Sequence, residues 1–159
     1  MRWAVVIALI IILVGCRSLV DKVHQGAHLA LDQGRSITLE EYVAQERELN
    51  EKYLYGSPME ALKALEQLAA LEEDYAKNGQ KPIDSNHARM LAYSRLFVLS
   101  EKLKERPEAE MYLEKAVHFA VEWKPEIGAL TEEKKTDFVR HYVDEFEEGL
   151  MVRWKTDLK

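Results

Sequence analysis

Few side chains in this sequence are of the types that do chemistry. Cys16 is the only thiol, and it follows directly on an apolar run, Trp3 to Val14, and Gly15. A cysteine sulfur is the most nucleophilic side-chain atom on offer for a covalent attachment. The histidines are His24, His28, His87, His118 and His141. His24 and His28 stand at i, i+4, a spacing that puts two imidazoles on one side of a helix as metal ligands. Only Asp21 and Asp32 lie near enough to complete such a set, and no metal is expected there. His141 lies close to Asp144 and Glu145, but the second histidine of a His-Glu-x-x-His zinc motif is missing. There is no Gly-x-Ser-x-Gly elbow and no glycine-rich phosphate loop. The acidic run Asp144-Glu-Phe-Glu-Glu148 reads as a solvated helix face interrupted by one core aromatic, Phe146, with a partner-binding patch as the alternative. No catalytic residue and no cofactor are expected, and an enzyme is not the leading reading.

The elements around Cys16 decide what it does. One positive residue, Arg2, precedes the apolar run of twelve residues from Trp3 to Val14, and Gly15 and Cys16 end it. A charged start, a short apolar stretch and small residues at its end describe a secretory signal peptide. A twelve-residue helix reaches roughly 18 Å at about 1.5 Å per residue. A bilayer core is about 30 Å thick and takes about 20 apolar residues to cross. The segment Leu13-Val14-Gly15-Cys16 resembles the lipobox of bacterial lipoproteins. In that family a diacylglycerol is attached to the cysteine thiol, the chain is cut just before it, and the new amino terminus is often acylated with a fatty acid such as palmitate. The resemblance implies a signal peptide over residues 1–15 and lipid on Cys16. It also implies anchorage to a membrane through covalent lipid. One acyl chain binds reversibly and two or three hold firmly, because each buried CH₂ contributes about 0.8 kcal/mol. In the same family an Asp after the cysteine retains the protein in the inner membrane of diderm bacteria. Arg17 therefore points to the periplasmic face of the outer membrane if the host is diderm.

Removing residues 1–15 leaves 144 of 159 residues, enough for one domain with a real core. It also removes the single basic residue Arg2, so 21 basic side chains face 28 acidic ones, a net charge of −7. That balance excludes the basic footprint that nucleic acid requires, and the basic clusters that dock on anionic lipid. The body holds no further cysteine, so it cannot mispair in an oxidising compartment.

Residues 16–37 read as the lipidated start and a tether, with Gly26 and Gly34 weakening any helix there by about 1 kcal/mol each. A domain follows over residues 38–159. Thr38-Leu-Glu-Glu41 is a capping box that opens a helix to about Tyr53. Ser57-Pro-Met-Glu60 is a second, with Pro58 at the first helical position, where its missing N–H costs nothing. That helix is expected to run to about Lys77, burying Ala61, Leu65, Leu68, Leu71 and Tyr75, and to stop at Asn78-Gly79. A third is expected from Ser85–Asn86 to about Lys104, and a fourth from Pro107 to Trp123. The fifth starts at Thr131 and continues past Leu150, with Phe138, Tyr142, Phe146 and Leu150 as its apolar stripe and Arg153 and Lys155 at its negative end. Nothing alternates with period two for long enough to be a strand. The expected class is all-α, with about five helices.

Residues 90–120 resemble a tetratricopeptide repeat, through Tyr93 and Leu96 on one helix and Ala109, Leu113 and Ala116 on the next. Small residues at Ala109 and Ala116 let two helices approach closely while the larger ones fill the seam. Phe97 stands where the family prefers a small residue, and Ser100 where it prefers tyrosine. A weaker echo lies at Gly56-x₄-Ala61-x₃-Leu65. The resemblance implies two repeat-like helical hairpins plus a C-terminal helix. A plain helical bundle with the same core spacing is the alternative. It further implies an inner groove lined by first helices, here Leu91, Ser94, Arg95, Val98 and Glu101, with Leu91 and Val98 exposed together. The expected role is a protein–protein interaction or accessory assembly module of the cell envelope, with an envelope protein as partner. The alternatives are an envelope enzyme with an unfamiliar site, and a structural helical spacer.

Overall fold

The computed structural model describes residues 37–78, 85–104 and 106–158. Cys16, His24, His28, Gly26, Gly34 and the tether lie outside the described residues. Within them the chain is all-helical: α1 (Leu39–Tyr55), α2 (Pro58–Lys77), α3 (Ser85–Leu103), α4 (Arg106–Trp123), a 3₁₀ turn (Pro125–Ala129), α5 (Glu132–Phe146) and α6 (Arg153–Asp157).

The helix starts follow from local chemistry. The Thr38 hydroxyl accepts from the Glu41 N–H at 3.2 Å while Glu41 accepts from the Thr38 N–H at 2.8 Å. Ser57 and Glu60 form the second reciprocal box, with Pro58 at the first position of α2. Gly56 ends α1 where the backbone turns tightly, since a Cβ there would stand 2.4 Å from the Lys52 carbonyl oxygen. Thr131 caps α5 through the Lys134 N–H.

Successive helices pack on one another, α1 on α2, α2 on α3 and α3 on α4, and α5 then covers α3 and α4. The helix α3 is the centre of this arrangement. Every residue from Met90 to Ser100 except Val98 is buried, as befits a helix enclosed on several sides. Ala61, Leu65, Leu68, Leu71 and Tyr75 are all buried on α2. On α4, Ala116 is fully buried and Ala109 is 4% exposed, with Tyr93 and Leu96 of α3 in the same core. Leucine at either alanine inserts three carbons into the tightest helix pair, and overpacking of this kind costs about 1–3 kcal/mol. The melting temperature of Ala116→Leu should fall by several degrees. Glu114→Leu, on the exposed side of α4, should change stability by no more than about 0.5 kcal/mol. Equal melting temperatures for the two variants would mean that the seam lies elsewhere.

The C-terminal part departs from expectation. The fifth helix does not continue past Leu150 but ends at Phe146. Glu147 caps it, Gly149 takes φ +83°, a left-handed conformation that glycine adopts without strain, and the chain turns back into α6. The turn lets Val152 and Trp154 reach the core, 4% and 0% exposed, and α6 packs on α1 and α2. The stripe of α5 differs accordingly. Val139 and Val143 are its fully buried residues, Phe138 and Tyr142 are half-buried, and Phe146 and Leu150 are exposed.

Candidate functional site

The densest polar arrangement is centred on Glu147, which the acidic run made look solvated and which is in fact buried. Its carboxylate Oε1 accepts from the Arg95 Nε at 2.9 Å and from the Tyr53 hydroxyl at 2.5 Å. The Lys155 ammonium lies 2.8 Å from Oε2. Arg95 donates through Nη1 to the Asn50 side-chain oxygen at 3.2 Å and stacks its guanidinium 4.7 Å from the centre of the Tyr53 ring. The Trp154 ring lies 6.3 Å from that of Tyr53. Four helices meet here: Asn50 and Tyr53 from α1, Arg95 from α3, Glu147 capping α5, and Trp154 and Lys155 from α6. Burial and the neighbouring Glu147 carboxylate push the Tyr53 hydroxyl above its ordinary pKa, so it donates at every physiological pH.

Beside this cluster lies a cavity of about 360 Å³ between α3, α5 and α6. Its apolar lining is Val98, Trp154 and Leu158, and its charged lining is Glu101, Lys102, Arg140, Asp144 and Lys155. Arg140 and Glu101 form a two-pronged ion pair, with Nη2 at 2.7 Å and Nε at 3.2 Å from the two carboxylate oxygens. The bond to Glu101 holds the guanidinium pKa above its usual value. A volume in this range, with an apolar floor and a few convergent polar groups, suits a ligand or the anchor residue of a peptide.

The five groove residues expected from the sequence divide between the two features. Val98 and Glu101 line the cavity, and Arg95 forms the centre of the buried cluster. Ser94 is fully buried, its hydroxyl donating to the Met90 carbonyl oxygen at 2.7 Å. Leu91 is only 8% exposed, so the joint exposure expected for Leu91 and Val98 is absent. The reason is that α2, α4 and α5 all pack on α3. Asn50, Tyr53, Arg140, Trp154 and Lys155 were missed by sequence reasoning, while Asp144 and Glu147 lay in the acidic run read as a solvated face with a partner-binding patch as the alternative. The one available signal was Trp154, a large apolar residue among charges near the C-terminus.

Two further clusters lie elsewhere. Tyr93 of α3 donates to Glu73 of α2, and the Lys115 ammonium of α4 lies 3.2 Å from Glu73 and 2.8 Å from the Tyr93 hydroxyl. Burial alone would raise the Glu73 carboxyl, but the Tyr93 and Lys115 donors outweigh it and hold its pKa below the usual value. Glu72, 2% exposed, accepts from the Tyr42 hydroxyl at 2.6 Å through Oε1, while Oε2 has no hydrogen-bond partner. Burial, aided by the charge of Glu46 and opposed by the Tyr42 bond, raises its pKa above 4.5. A carboxyl whose pKa rises on folding contributes stability below its unfolded pKa and loses it as pH rises through the folded value. Glu72→Gln removes that titration. Its melting temperature should therefore gain on the wild type as pH rises above the ordinary glutamate range, and a gap that narrows as pH rises would reverse the assignment.

His141 is exposed and lies 3.3 Å from Glu145 on the same helix. Among the described residues no group of His, Cys, Asp and Glu side chains could hold a metal ion, and no helix is long and apolar enough to cross a membrane. No protein family matches the chain, and neither a curated protein nor a solved structure is significantly similar to it.

Proposed function

We propose that this chain is a bacterial lipoprotein whose helical body is a protein–protein interaction module at the cell envelope. The anchor reading rests on Arg2, the apolar run Trp3 to Val14 and the Leu13-Val14-Gly15-Cys16 segment. Cys16 is the lipid attachment site, residues 1–15 are removed, and Arg17 favours the periplasmic face of the outer membrane in a diderm host.

The observation that carries the interaction reading is the cavity beside Val98 and Glu101, apolar at its floor and ringed by charges of both signs. Interfaces concentrate affinity in a few anchor residues that enter desolvated pockets, with a polar rim that fixes orientation. The succession of packed helix pairs supports the repeat-like hairpin reading, in which the inner face is built by first helices. The role is an accessory or assembly function carried out through a bound envelope protein, with no nucleic acid, metal or cofactor involved.

Site-specific photo-crosslinking in intact membranes tests this reading. A photoreactive residue at Glu101 or Arg140, both on the cavity, should give a discrete higher-mass adduct. The same residue at Glu110, exposed on α4, should give none. Adducts of equal yield from all three positions, or from none, would contradict a partner at this surface.

A further inference from the structure

The C-terminal segment is held in a way that differs from the rest of the fold. Residues 148–151 form a turn with Leu150 47% and Met151 86% exposed, and the α6 that follows has only five residues. Val152 stands at its N-cap without a side-chain hydrogen bond to cap it. So short a helix has no stability of its own. Its hold comes from side chains: the Trp154 indole set against Tyr53, Val152 in the core, Lys155 on Glu147 and on Asp144 at 3.4 Å, and Arg153 reaching the Tyr55 carbonyl oxygen at 3.4 Å. The receiving surface belongs to other helices, with Tyr53 from α1, Val98 and Glu101 from α3, and Asp144 and Glu147 from α5 and its cap. The cavity lined by Trp154, Lys155 and Leu158 also touches Val98, Glu101 and Arg140, so the surface beside the segment continues along α3 and α5.

We propose that residues 148–158 are a built-in occupant of a peptide-binding groove, and that the partner supplies a segment of the same chemistry. That segment carries an apolar residue, then an aromatic anchor followed by a lysine or arginine, as Val152, Trp154 and Lys155 do here. Charge complementarity selects the class. The carboxylates of Glu147 and Asp144, which hold Lys155, receive a cation, and the Tyr53 face receives the aromatic ring. A partner segment longer than this one would extend along Val98 and Arg140. The proposal rests on the interaction-module reading and specifies what that module binds.

The test uses the full chain with a protease recognition sequence placed in the exposed 148–151 turn, where added length is cheap. The probe is a fluorescent synthetic peptide of residues 150–159. Once the turn is cut, the bound C-terminal piece is no longer tethered, and the probe should replace it with saturable anisotropy. The uncut chain should bind the probe at least about ten-fold more weakly, because a short tether keeps its own segment at about millimolar effective concentration. A probe carrying Trp154→Ala should lose at least about ten-fold in affinity, and one carrying Lys155→Glu should also weaken. Equal binding by cut and uncut protein would place the probe elsewhere and overturn the proposal. So would a cut protein that keeps its helicity and excludes the probe, or one that loses its helicity because the segment is an inseparable part of the core. Dimerisation of the uncut chain without probe exchange would make the occupant a second copy, which also overturns it. Crosslinking at Glu101 without probe exchange would defeat this inference alone. Probe exchange without crosslinking would defeat the membrane partner and leave the groove.

Discussion

Glu147→Ala is expected to destabilise the folded body by about 3–5 kcal/mol, a large part of the 5–15 kcal/mol typical of a domain. The substitution removes the acceptor of the Tyr53 hydroxyl and of Arg95, whose side chain is 7% exposed. Arg95 would retain only the 3.2 Å bond to Asn50 and its ring contacts. A guanidinium left in that position bears a desolvation cost with no counter-charge, which is why breaking one side of a buried pair costs far more than the pair contributes. Lys155, 31% exposed in its side chain, can turn to Asp144 or to water and adds little to the loss. The double change Arg95→Met with Glu147→Leu removes both charges and keeps most of the volume. Such replacements are often neutral or better, so most of the lost stability should return. Denaturant unfolding measures both variants, and the coupling between the two sites follows from the cycle. A loss below about 1 kcal/mol for Glu147→Ala, or a double variant as unstable as the single, would mean that this carboxylate does not hold the helices together.

The parts of the fold that local chemistry controls were legible in the sequence. Capping boxes at Thr38 and Ser57, Pro58 at a helix start, Gly56 at a tight turn and the Thr131 cap all act within four residues, and each helix begins where they place it. The all-α class follows from the absence of period-two alternation. What failed was the far end of the fifth helix. Phe138, Tyr142, Phe146 and Leu150 keep helical spacing, and spacing alone cannot show that Gly149 reverses the chain. The reversal is driven by a long-range event, the burial of Trp154 against Tyr53, about a hundred positions earlier. The same event explains why the groove was only half legible. Arg95 and Glu101 stand on the expected face of α3, but their partners Glu147 and Arg140 lie on α5 and its cap, 52 and 39 residues away. The charge of Glu147 gave no sign that it would be buried, because a glutamate in an acidic run is solvated far more often than paired inside.

Anchoring by lipid is the claim on which the cellular role rests, and it has the largest expected effect. Cys16→Ser removes the only sulfur nucleophile of the chain. A serine hydroxyl is not an acceptor for the diacylglycerol group, and in lipoproteins cleavage follows that attachment. The variant should therefore take up no lipid and keep residues 1–15, leaving a polypeptide about 1.6 kDa heavier at roughly 110 Da for each residue of the signal. The helical body should fold unchanged, since the buried core described for residues 37–158 is built by that body's own helices. Release from the membrane is less informative than the label itself, because an uncut apolar run holds to a bilayer by its own surface. Metabolic labelling with a radioactive fatty acid is the most direct measurement. The wild-type chain should carry the label and the Cys16→Ser chain should carry none. A wild-type chain without label, cut at a position other than the bond before Cys16, would contradict the account.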